Sequence, residues 1–111
     1  MTAHNPLEAL LEGRGIRAAV LYDEGGEVLD SAGGEEATAG LLTPALATLQ
    51  TLEKTLGADG WNDLLLDLES GPVLLTPAPF GGQVLAVAFS DLSSLGRVRL
   101  GVRRALTDLV G

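Results

Sequence analysis

Short apolar segments between glycine-containing turns are the feature that most restricts the fold of this chain. Residues 17–23 and 27–31 flank a Glu-Gly-Gly turn. That arrangement predicts a β-hairpin, because glycine supplies the positive φ angles that tight hairpin turns need. Residues 73–77 and 83–89 form two further apolar runs, separated by a turn from Pro77 to Gly82. Strands joined by such tight turns imply an antiparallel sheet.

Two of the predicted strands have distinct burial patterns. Residues 61–69 alternate, which is typical of a half-buried strand. One face would carry Asn62, Leu64, Leu66 and Leu68, and the other Trp61, Asp63, Leu65, Asp67 and Glu69. Residues 83–89 are apolar on both faces and are therefore expected to form a central strand covered on each side.

Three segments have helical signals. The run Asn5-Pro6-Leu7-Glu8 combines an N-cap, a proline at the first helical position and an acid three residues after the cap. Residues 36–56 place one apolar stripe toward the core: Leu41, Leu42, Ala45, Leu46, Leu49, Leu52 and Leu56. Pro44 leaves two possibilities, a shorter helix capped by Thr43 or a longer helix that bends.

The last helix is predicted to begin at Ser93 or Ser94. Its inward positions would be Leu95, Val98, Val102, Ala105, Leu106 and Leu109. The complete order is α-β-β-α-β-β-β-α. We therefore predict an α+β fold, a single five-stranded antiparallel sheet with helices on its faces, in one domain spanning residues 1–111.

Composition excludes several classes of protein. The chain has no cysteine and a single histidine, His4, so thiol catalysis and cysteine-based or histidine-rich metal sites are not expected. The formal net charge is −8, which disfavours nucleic-acid binding. No signal-peptide pattern or apolar run suited to a membrane span is visible, so a cytoplasmic location is expected, without membrane insertion.

Sequence motifs for catalysis or cofactor binding are also missing. There is no phosphate-binding glycine motif and no nucleophile elbow. Asp63, Asp67 and Glu69 share a strand face, but alternating acids are usually the solvated side of a strand. His4 is expected to be an inert residue before a helix cap. We therefore expect no enzyme activity, no catalytic residue, no cofactor and no metal.

One candidate contact surface lies on the helix of residues 36–56. The side away from the leucine stripe carries small, mostly uncharged residues, where an acidic protein normally has charges. A close approach of another helix would suit this surface, although it could also be merely an exposed face. The predicted dimer interface combines it with the edge strand: Thr43, Ala47, Thr48, Thr51, Thr55, Trp61 and Leu65.

A second candidate surface lies on the last helix. Fourteen of the fifteen acids fall in residues 1–96, whereas four of the seven basic residues fall in residues 97–111. Leu100 is predicted to project away from the core stripe, surrounded by Arg97, Arg103 and Arg104. Arginines around one apolar anchor are common in binding hot spots. These side chains could instead pair with acids of the first helix, such as Glu8 or Glu12.

Taken in order, four segments resemble the Roadblock/dynein light chain family. They are the opening helix with Leu7, Leu10 and Leu11, then GIRAAVLYDEGGEVLDS, then DLESGPVLLTPAPFGGQVLAVAF, and finally LGRVRLGVRRAL. The resemblance implies an α-β-β-α-β-β-β-α domain that dimerises through its second helix and third strand. It also implies a noncatalytic partner of small Ras-like GTPases. Pro44 departs from the family pattern.

The sequence thus predicts a homodimer that binds a small Ras-like GTPase and modulates its nucleotide cycle. Two alternatives remain. The first is a structural adaptor without effect on any GTPase, and the second is a small-ligand sensor, which the low aromatic content of 4% disfavours.

Overall fold

The structure, a computed structural model, describes residues 5–13 and 15–110. Its eight main elements follow the predicted order and are bounded as follows: α1 (Pro6–Leu11), β1 (Ile16–Tyr22), β2 (Val28–Ala32), α2 (Leu42–Leu56), β3 (Leu64–Leu68), β4 (Gly71–Pro77), β5 (Val84–Phe89) and α3 (Leu95–Val110). A short 3₁₀ turn, Leu92–Ser94, leads directly into α3. The predicted α+β class and element order are confirmed.

The strands form a single five-stranded sheet in the order β2-β1-β5-β4-β3 within the described residues. Every neighbouring pair is antiparallel. All six residues of β5 are buried, which confirms the central strand predicted from its two apolar faces. The two edges of the sheet are β2 and β3.

Helices cover both faces of the sheet. On one face, α1 and α3 pack over a core that includes Leu21, Leu74 and Phe89. On the other face, the first half of α2 packs over a core that includes Val20 and Leu75. The sheet is therefore the middle layer, and its alternating side chains supply both cores.

The N-terminal caps of α1 and α3 were predicted with different success. Asn5 caps α1 as predicted, because its side-chain oxygen accepts a hydrogen bond from the Leu7 amide at 2.9 Å. The predicted serine cap of α3 is wrong. Asp91 caps the preceding 3₁₀ turn instead, and its carboxylate accepts a hydrogen bond from the Ser93 amide at 2.9 Å. This bond lowers the pKa of Asp91 below its ordinary value.

The second helix is shorter than the predicted span of residues 36–56. It begins at Leu42, with Leu41 as an N-cap that makes no side-chain hydrogen bond. Neither possibility considered for Pro44 is correct, since Thr43 is not the cap and Pro44 lies within the first turn. Proline fits there because the first amides of a helix have no intrahelical acceptor.

The segment before α2 is fixed to the sheet by Thr38. Its buried hydroxyl lies 2.7 Å from the hydroxyl of Tyr22 in β1.

Gly33 lies where no side chain fits, and this provides a matched stability test. Its φ is +80°, and a Cβ there would collide with the carbonyl oxygen of Arg17. Gly40 has a similar φ of +76° but open space around it. Gly40→Ala should cost about 1 kcal/mol from backbone strain alone. Gly33→Ala should cost about 3 kcal/mol, because overpacking adds to that strain.

Chemical denaturation followed by circular dichroism would measure both free energies of unfolding. Equal losses for the two variants would contradict the close approach of β1 to Gly33.

Among the described residues, each helix is too short or too polar to span a lipid bilayer.

Candidate interaction surfaces

The outer face of α2 consists of exposed residues, and most of its threonine hydroxyls are hydrogen-bonded within the helix. Thr43, Ala47, Thr48, Thr51 and Thr55 are all exposed. Three of the threonine hydroxyls donate to carbonyl oxygens one turn earlier, at 2.9 Å for Thr48 and Thr55 and 3.1 Å for Thr51. A partner that buries this face would therefore leave few polar groups without a hydrogen bond.

The core stripe predicted for α2 is wrong at its C-terminal end. Leu42, Ala45 and Leu49 are buried, but the exposed fractions of Leu52 and Leu56 are 45% and 74%. No residue after Leu49 in this helix is buried, so its last two turns are uncovered. Leu52 and Leu56 were predicted to lie in the core, but their exposure makes them candidates for an interface. Leu52 lies only about 40° around the helix from Thr48, so the two surfaces are continuous.

β3, the strand of the predicted dimer interface, is shorter than predicted, and its two faces pack against different cores. The structure limits β3 to Leu64–Leu68 and places it at an edge of the sheet. Trp61 precedes the strand and packs with Leu64 and Leu66 on the face that α2 covers. Its predicted position beside the acids is therefore wrong, because strict alternation does not extend beyond the strand. Leu65 packs on the opposite face of the sheet, in the core that α3 covers. Trp61 and Leu65 are therefore both near the β3 edge but on different faces.

The outer face of α3 matches the second predicted surface. Arg97, Leu100, Arg103 and Arg104 are all exposed, and the exposed fraction of Leu100 is 49%. Among the described residues, the three arginines form no ion pair within one protomer, either with Glu8 or Glu12 or with any other acid. This set is called the arginine surface below.

Arg99 differs from the other arginines of α3 because it holds the helix to the start of β3. Its Nε and Nη2 donate to the two carboxylate oxygens of Asp63 at 2.8 and 3.0 Å. This bidentate bond and the charge of Asp63 raise the pKa of Arg99 further above its ordinary value. The sequence analysis predicted that Asp63 lies on a solvated face of the strand. It did not predict the Arg99–Asp63 ion pair, because the two residues are 36 positions apart.

A groove of about 490 Å³ runs between α1 and α3, beside the arginine surface. Its apolar lining includes Ala9, Ile16 and Leu100, and Gly101 leaves room at its base. At Gly101 the two helices are in close contact, since a Cβ on Gly101 would lie 3.1 Å from the Leu10 Cδ2 atom of α1. Arg97 and Arg104 border the groove.

The described residues contain no group of three acidic, histidine or cysteine side chains arranged to hold a metal ion. His4, which the sequence reading considered inert, lies outside the described residues.

Comparison with solved structures identifies the fold of the chain. The chain adopts the Roadblock/LC7 fold, as the family resemblance implied. A Roadblock/LC7 domain from Streptomyces avermitilis superposes with a TM-score of 0.66 at 19% identity, covering 99% of this chain and 100% of that chain. No protein-family profile and no curated protein sequence matches the chain.

Within this fold the chain is similar to MglB. The gliding protein MglB from Thermus thermophilus is 27% identical, with a TM-score of 0.77 over 91% of this chain and 80% of that chain. MglB from Myxococcus xanthus is 24% identical, with a TM-score of 0.79 over 94% of this chain and 81% of that chain. A further MglB structure, described as a tetrameric arrangement, is 28% identical, with a TM-score of 0.70.

Proposed function

We propose that this protein is a homodimeric regulator that binds a small Ras-like GTPase and modulates its nucleotide cycle. The observation that carries the proposal is the Roadblock/LC7 fold, which the chain shares with MglB over 91% of its length. The family resemblance implies the same role. The protein would act in the cytoplasm, as a binding partner rather than as an enzyme with its own active centre.

Dimerisation would use the outer face of α2 together with the β3 edge. The exposed leucines at the end of α2 supply apolar area, and the threonines beside them have satisfied hydroxyls. An unpaired edge strand promotes aggregation unless it is covered. Pairing of β3 with its copy across a two-fold axis would remove that edge and bring the two α2 helices together.

The GTPase would bind to the arginine surface on α3. Leu100 offers an apolar anchor, and Arg97, Arg103 and Arg104 offer positive charge without ion-pair partners in the described residues. Charges around an apolar anchor accelerate encounter, while burial of the anchor slows dissociation. The proposed partner surface therefore combines acidic and apolar groups.

The test uses a small Ras-like GTPase encoded in the same genome. We expect the purified dimer to bind that GTPase and to change its rate of GTP hydrolysis or of nucleotide exchange. Phosphate release measures the first rate, and displacement of a fluorescent nucleotide measures the second. Binding without any change in rate would favour the structural adaptor. Absence of binding in both nucleotide states would contradict the proposal.

A further inference from the structure

The β2 edge of the sheet and the loops that flank it form an acidic surface with two exposed apolar side chains. Residues 23–36 contain six acids and no basic residue. Val28 and Leu29, within this segment, have exposed fractions of 39% and 49%. An acidic segment with adjacent exposed aliphatic residues is an uncommon combination on a free edge strand, where charges normally prevent pairing. This segment is called the acidic edge below.

A β-bulge explains why both apolar residues face solvent. Tyr22 pairs with Val28 and Leu21 pairs with Asp30, so Leu29 is an extra residue on β2. A bulge redirects side chains and twists the edge. Leu29 is therefore presented beside Glu27, which is exposed, and Asp30, which is half-buried.

The part of the groove formed by residues 97–104 of α3 is complementary to the acidic edge in charge and polarity, because this stretch carries arginines and no acid. Its apolar lining at Ile16 and Leu100 would receive Leu29. Arg97 and Arg104 lie seven residues apart on α3, about 10 Å along the helix axis. Glu27 lies directly before β2 and Asp30 lies within it, so their Cα atoms are at most about 10 Å apart. The two arginines and the two carboxylates can therefore meet in the same register.

We propose that the acidic edge of one copy docks in the α1–α3 groove of another copy. Leu29 is the apolar anchor, and Glu27 and Asp30 pair with Arg104 and Arg97. Glu12 and Asp108 also line the groove and repel the edge. They confine the docked segment to the part of α3 that ends at Arg104.

This contact is separate from the proposed dimer interface, because β2 and β3 lie at opposite edges of the sheet. It joins two different surfaces, so it is heterologous and extends into rings or open chains of protein. The inference does not depend on the proposed GTPase partner, since it concerns this protein alone.

Sedimentation velocity of the purified protein tests the contact at constant ionic strength. Over about 10 µM to about 1 mM, the range of weak contacts, we expect species larger than the smallest one to increase with concentration. Arg104→Glu and Glu27→Arg should each reduce these larger species at least tenfold. An equal mixture of the two variants should restore them, because the intact edge of one fits the intact groove of the other, and the arginine introduced at position 27 can pair with the glutamate introduced at position 104.

Asp59→Arg is the matched control, since it makes the same charge change as Glu27→Arg at an exposed loop position outside both surfaces. It should leave the larger species unchanged. Circular dichroism confirms that each variant is folded. A wild-type protein that shows one size over the whole range, or a mixture that fails to restore the larger species, would overturn the proposal.

Discussion

Replacing Ala47 and Thr51 with glutamate should weaken the dimer by about 100-fold or more, which corresponds to roughly 3 kcal/mol. Both residues are exposed on the outer face of α2. In a two-fold interface each new carboxylate would meet its own copy or become buried without a partner. Sedimentation equilibrium should then show monomers at micromolar concentration, where we expect the wild-type protein to be a dimer.

A matched control separates the interface from the effect of added charge. Ala39→Glu with Thr107→Glu adds the same two charges at exposed positions outside the proposed surface, and should leave the dimer intact. Leu52→Ser provides a second, uncharged test, because it removes apolar area that one protomer leaves 45% exposed. We expect it to weaken the dimer without loss of helix content. A wild-type protein that is monomeric at micromolar concentration would contradict this interface.

The double replacement Leu100→Asp and Arg104→Asp should abolish GTPase binding while folding and dimerisation are unchanged. Both side chains are exposed, so their loss removes no core packing. A hot-spot residue contributes about 2 kcal/mol or more on truncation, and each 1.4 kcal/mol is tenfold in affinity. We therefore expect at least a 100-fold loss. Biolayer interferometry should show slower association for Arg104→Asp alone and faster dissociation for Leu100→Asp alone.

Leu92→Asp is the control for the loss of an apolar residue. Leu92 is 41% exposed in the turn before α3 and lies outside the arginine surface. This variant should bind the GTPase as the wild type does. Dilute protein is needed throughout, because Arg104 also serves the proposed contact between copies. Full GTPase binding by the double variant would leave the arginines of α3 as ordinary solvated charges.

The element order and the central strand could be predicted from the sequence because they depend on local patterns. The Glu-Gly-Gly turn defines the hairpin, and unbroken apolar composition predicts that β5 is covered on both sides. Asn5 was also recognisable as a cap, since its side chain bonds to amides two and three residues later. In α3, the periodic spacing of Val98, Val102 and Ala105 identified the buried stripe. The exposed position of Leu100 followed from the same spacing.

Three features depended on tertiary structure. Periodicity extends the apolar stripe of α2 to Leu56, but only the position of the helix over the sheet decides that burial ends at Leu49. Alternation assigned Trp61 to the wrong face because the chain is not extended before Leu64. Arg99 and Asp63 are distant in sequence, and the packing of α3 beside the start of β3 brings them together. The sequence by itself thus determined which elements form, through short-range hydrogen bonding and hydrophobic periodicity. The tertiary structure decided which apolar and charged groups remain uncovered, because burial depends on how far each helix extends over the sheet.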